Sequence, residues 1–151
     1  MKRLFILLLS LGFLKTLGQV SVNWTDLAGN WQVEKEADFR NSDTSAAWIP
    51  DKIIIYSFSP DLKFTDKTST ANTVFAGNYI VDKVKKKIAF KDIVQTTKFP
   101  DTANKNFVHP APRSDIFVIK LTSDTFIYYS KGCDDASNVN CGSLTYLHKI
   151  K

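Results

Sequence analysis

The sequence predicts an all-β domain of about eight strands, joined mostly in up-and-down order and preceded by an export signal. Three observations carry this. Short runs rich in β-branched and aromatic residues recur, the first with Trp31 and Val33 at the period of two of a half-buried strand. Turn residues separate those runs at short intervals. No helix longer than about ten residues is expected after the leader. Strands at this spacing close as a barrel or stack as a sandwich.

The elements follow in order. Met1-Lys2-Arg3 is a short basic start, Leu4–Leu14 is almost unbroken apolar sequence, and Thr16-Leu17-Gly18 supplies small residues around a cut. That is the three-part layout of a secretory signal over residues 1–18, with Gln19 as the mature N-terminus. The apolar run is about 11 residues, short of the ~20 a spanning helix needs. No cysteine follows it, so a lipid anchor on a new N-terminal Cys is not expected. The expected location is periplasmic or secreted.

About 133 residues then form one domain, 19–151, large enough for a real core. Loss of Lys2, Arg3 and Lys15 leaves 17 basic against 15 acidic side chains, about +2 instead of +5. An ordinary mixed surface is expected, not a nucleic-acid interface.

Leu27–Glu36 opens the fold, with Trp31 and Val33 alternating with Gln32 and Glu34. Ala37–Asp51 reads as a loop, with a helical turn near Ser45–Trp48. Lys52–Ser59 is a dense β-branched and aromatic strand. Ser59-Pro60-Asp61 turns it into a short partner, Leu62–Thr65. Asp66–Asn72 is polar apart from Ala71 and reads as a hairpin tip. Thr73–Asp82 is a strand in which Gly77 marks a bulge or a close backbone approach. Lys83–Lys87 reads as a solvated turn, and Lys87–Val94 returns. Gln95–Ser114 is a long connection with Pro100, Pro110 and Pro112, of the length that functional loops have. Asp115–Leu121, Thr125–Lys131 and Ser143–Ile150 complete the set.

Leu27-Ala-Gly29-Asn-Trp31 resembles the G-x-W motif that opens the first barrel strand of lipocalins. It is similar to the L-x-G-x-W start of the short exported lipocalin-like domains of Bacteroidota. Ile54-Ile-Tyr-Ser-Phe58, Gly77-Asn-Tyr79, Leu121-Thr-Ser-Asp124 and a final strand ending near Tyr146 extend the likeness over residues 24–151. The resemblance implies an eight-stranded up-and-down antiparallel β-barrel, lipocalin-like, closed at one end and open at the other. It implies structural roles for Gly29 and Trp31. Lipocalins stack an Arg from the last strand over that Trp; here the last strand offers His148 and Lys149.

A barrel of this size is filled by side chains or holds one small ligand. Tyr56, Phe58, Phe75, Tyr79, Phe90, Phe117, Tyr128 and Tyr146 are the candidates to line a cavity, with a filled core as the alternative. Tyr79 and Tyr128 are the preferred polar anchors, since each sits mid-strand among apolar neighbours. The expected function is binding a small apolar or amphipathic ligand, with no cofactor and no nucleic-acid partner. The alternative is an inhibitor or accessory protein with a solid barrel and binding loops.

Cys133 and Cys141 in an exported chain suggest a disulfide across a hairpin. With only His109 and His148 besides, a metal site is not expected. Neither histidine sits in a nucleophile–base motif, so the chain is not expected to be an enzyme. Asp134-Asp135 lacks the spacing of a calcium loop and reads as a polar hairpin tip.

Overall fold

Because strands adjacent in sequence pair in space, alternation along the chain becomes one continuous sheet. The computed structural model describes residues 21–40, 43–44, 47–69, 72–98, 106–131 and 141–151. The leader lies outside the described residues, as does Cys133. Among the described residues ten strands form: β1 Gly29–Arg40, β2 Asp43–Thr44, β3 Ile54–Phe58, β4 Lys63–Thr68 and β5 Thr73–Asp82. They continue as β6 Lys87–Lys98, β7 Asn106–Pro110, β8 Ile116–Leu121, β9 Thr125–Lys131 and β10 Cys141–Ile150. Eight of them, β1-β3-β4-β5-β6-β8-β9-β10, follow one another antiparallel around a ring, and β10 closes onto β1. That last seam runs from Asn30↔Ile150 to Arg40↔Cys141. Closure removes the sheet edges that would otherwise template aggregation. Among the described residues no helix is long and apolar enough to cross a membrane.

Three stretches differ from the sequence expectation. β1 runs on to Arg40, and Glu36 then pairs with Trp48 as an isolated bridge, so Trp48 is extended, not helical. β4 continues to Thr68, which takes Asp66 out of the expected hairpin tip and buries it. β6 continues to Lys98 and β7 folds back on it, so much of Gln95–Ser114 is a hairpin. Gln95-Thr-Thr-Lys98 has no apolar alternation, which hides it from a periodicity rule. Thr nonetheless suits a pleated surface, and the Thr73 and Thr97 hydroxyls meet at 3.2 Å across the β5–β6 pair.

The partner strand of β6 is interrupted. Val94↔Pro110 and Ile88↔Ile116 lie on one common register, so β7 and β8 are two ends of a single strand opened at residues 111–115. The Ala111 amide still donates to the Ile93 carbonyl at 2.8 Å; beyond it the chain arches away. β6 bends at the same level. Asp92 has φ +52° and the β5–β6 register shifts between Ala76 and Asn78. Two residues of β6 there face Gly77, which is a bulge. A Cβ on Gly77 would lie 2.7 Å from both the Asp92 carbonyl oxygen and Ile93 Cδ1, so glycine is required by the close approach. The turn at Lys83–Lys86 is exposed, as expected.

One end of the barrel is sealed. The short 3-10 helix Trp24–Asp26 leads into buried Leu27, and Val22 bridges Leu121. Trp31 is fully buried, donates from Nε1 to the Leu27 carbonyl at 2.8 Å, and meets Phe126 edge-on at 5.5 Å. Lys149 Nζ stands 5.0 Å over the Trp31 ring and donates to the Asp26 carbonyl at 2.8 Å. Its chain passes so close to Gly29 that a Cβ there would meet Lys149 Cε at 2.6 Å. Gly29 also has φ +131°, a region that side chains disfavour.

Candidate functional site

Inward positions change character along the strands. On β9 they run Phe126, Tyr128, Ser130; on β10, Leu147, Thr145, Ser143. On β3 Phe58 gives way to Tyr56, and on β4 Phe64 gives way to Asp66. Each strand thus carries an apolar residue at the sealed end and a polar one towards the opposite end. On β1 the register shift between Val33 and Lys35 decides the inward residue. It turns Lys35 outward, over the ring of Tyr146 at 4.7 Å, and brings Glu36 inside opposite Thr145.

These polar positions surround a cavity of about 320 Å³ at the open end. Glu36, Tyr56, Tyr128, Ser130, Ser143 and Thr145 contribute from the strands. Pro112, Arg113 and Ser114 contribute from the arch between β7 and β8, together with Ile116 and Lys131. The size is near the lower end of the ~300–1,000 Å³ common for small-molecule sites.

Arg113 is the centre of this arrangement. It reaches from the arch to β4, where Nη1 donates to Asp66 Oδ2 at 2.5 Å. The guanidinium carbon lies 4.9 Å from the Tyr56 ring centre, 5.0 Å from Phe64 and 5.2 Å from Phe90. The Arg113 and Asp66 side chains are 22% and 12% exposed, so the pair is largely withdrawn from water. A planar, weakly hydrated cation on aromatic faces suits that position better than an ammonium would.

A hydrogen-bonded path leads away from it. Tyr128 donates to the Tyr56 hydroxyl at 3.3 Å. Thr145 is the cross-strand partner of both Glu36 and Tyr128, and its hydroxyl tempers the rise in pKa of each. Ser130 and Ser143 Oγ are 2.8 Å apart on neighbouring strands. Burial pushes the Tyr56 hydroxyl well above its ordinary pKa, and Tyr128 above it as well, so both stay protonated donors. Burial, then the neighbouring Asp38, raises Glu36. Burial opposes the Arg113 charge, but Tyr56 and Asp66 outweigh it and the cation is held.

The eight aromatic candidates separate into three groups. Tyr56 and Tyr128 line the cavity. Phe58, Phe75, Tyr79 and Phe90 belong to the packed core. Tyr79 is edge-on to Phe58 at 5.2 Å, and its hydroxyl donates to the Ser59 carbonyl at 2.8 Å, so it is not a cavity anchor. Phe117 and Tyr146 sit on the outer face, where Phe117 packs on Tyr129 at 6.4 Å. Their neighbours Ile116, Val118, Thr145 and Leu147 take the inner positions, and alternation then sends these two outward. Gly29 and Trp31 hold the sealed end as described. The side chain of Cys141, like Cys133, lies outside the described residues; β9 and β10 pair as Lys131↔Gly142, so the segment between the cysteines joins adjacent strands. Neither His109 nor His148 lines the cavity. Among the described residues no three His, Cys, Asp or Glu side chains gather as a metal site.

Arg113, Asp66, Glu36 and the hydroxyls of Ser130, Ser143 and Thr145 were not candidates in the sequence. One signal pointed to the first: Arg113 is one of three arginines in a chain that otherwise uses lysine, and it stands in Pro110-Ala-Pro112-Arg113. Nothing local marks Asp66, whose partner is 47 residues away.

A scan of family models and searches of curated proteins and of solved structures each found no match to this chain.

Proposed function

We propose that this chain is an exported, lipocalin-like, non-enzymatic binding protein that holds one small amphipathic molecule in the open end of its barrel. The observation that carries the reading is the cavity of about 320 Å³ beside a packed aromatic floor, with Arg113 built into its wall. The order of strands and the Gly29-x-Trp31 start support the lipocalin likeness. So does Lys149, which takes the place over Trp31 that the family gives to an Arg. The polar lining favours an amphipathic ligand over a purely apolar one. The matching experiment is native mass spectrometry of the protein purified from its own host. A retained small molecule, lost on denaturation, supports the reading; bare protein of the mature mass at every concentration speaks against it. The same spectrum reports whether the chain starts at Gln19.

A second reading has its own observation. Trp48 is 41% exposed, Ile49 79% and Ile53 50%, all close to the open end of β1 and β3. These residues suit the loop-binding alternative, an accessory or inhibitor protein. Ile49→Asp separates the two, since it leaves a cavity ligand bound and abolishes partner capture through the rim.

A further inference from the structure

The cavity wall restricts which chemistry can enter. Of the residues lining it, only Ile116 and Pro112 have wholly apolar side chains. An apolar molecule would strip water from the hydroxyls and return no hydrogen bond, which is the costly way to bury a polar group. An anion gains little either. Of the two cations in the lining, Arg113 is already paired with Asp66 and covered by three rings, while Glu36 faces the same space. A cation would meet Arg113 and Lys131. What the wall offers is hydroxyls that both donate and accept and can rotate to suit a guest. Tyr56 accepts from Tyr128 at 3.3 Å, which leaves its own hydroxyl proton to donate to a guest oxygen.

We propose that the cavity takes a neutral, hydroxyl-rich molecule of mono- to disaccharide size. Tyr56, Tyr128, Ser130, Ser143 and Thr145 hold it, with Glu36 accepting from a guest hydroxyl. This rests on the binding reading above and narrows it to one ligand class.

The test is calorimetric titration of the mature chain with a panel of neutral sugars and polyols: glucose, galactose, mannose, sucrose, trehalose, sorbitol and inositol. Sodium octanoate and the neutral probe N-phenyl-1-naphthylamine run beside them. The expected result is saturable binding of at least one sugar or polyol, weakened tenfold or more in both Tyr128→Phe and Ser143→Ala. Ser143→Ala sits at the rim and keeps the fold testable if Tyr128→Phe perturbs packing; thermal unfolding of both variants is recorded. Sugar binding that is indifferent to both substitutions overturns the site. Saturable binding of octanoate or the naphthylamine alone overturns the ligand class and leaves the cavity reading standing. Saturable binding of nothing in the set overturns both.

Discussion

At the sealed end of the barrel Trp31, Phe126, Phe58 and Leu147 exclude water by packing. At the open end the same strands carry Tyr128, Tyr56, Thr145 and Ser143 around a cavity. The sealed end has one charged side chain over its central ring, Lys149, tied by a single bond to a carbonyl. The open end has a withdrawn ion pair, a path of hydroxyls and a carboxyl raised by burial. Area removed from water stabilises the first region directly. The second is satisfied only while each polar group keeps its partner, so it contributes less to stability and leaves groups facing a guest.

That difference can be broken from either side. The largest effect is expected from Trp31→Ala, which empties the centre of the floor and should cost ~3–5 kcal/mol in denaturant unfolding. A loss under ~1 kcal/mol would mean that the floor does not rest on this ring. Next is Arg113→Ala. It strands Asp66 in a site that is only 12% exposed, and a loss of about 2–4 kcal/mol is expected, trimmed from the fully buried case. The paired change Arg113→Met with Asp66→Asn should recover most of it. If the double variant is as unstable as the single one, the arch acts by packing and not by charge.

Smaller effects sharpen the contrast. Lys149→Met removes the cation above Trp31 but keeps the aliphatic stem, for about 1 kcal/mol. Tyr128→Phe should cost about 0.5–1.5 kcal/mol in stability, so a tenfold or greater loss of binding in that variant separates function from folding.

The smallest effect concerns Glu36, whose folded-state pKa is raised from 4.5. A raised carboxyl binds its proton more tightly in the folded state. Its contribution is therefore fully present below about pH 4.5 and is lost as pH rises through the raised value. Glu36→Gln should be slightly more stable than the parent at neutral pH. The gap in unfolding midpoint should close on acidification; a gap that does not change with pH would assign the effect to something other than ionisation.

Much of the scaffold was legible along the chain. Ile54–Phe58, Thr73–Asp82 and Thr125–Lys131 are rich in β-branched and aromatic residues and form strands, and Gly77 marks a bulge that is present. The candidate site was legible only at Tyr56 and Tyr128. Phe117 and Tyr146 looked equally suitable because an aromatic residue on a strand carries no label for its face. Asp66 looked like a turn residue because its neighbours Lys67, Thr68 and Ser69 are polar.

The sequence by itself determined the eight strands of the ring, their order and the Gly29-x-Trp31 floor, because β-branched and aromatic runs, turn chemistry and a glycine-bounded Trp are local properties of the chain. Tertiary structure alone decided which face of each strand turns inward, that the bulge at Val33/Lys35 brings Glu36 and not Lys35 into the cavity, and that Arg113 finds Asp66. These depend on register between segments far apart in sequence. A slip of one residue there exchanges inside for outside.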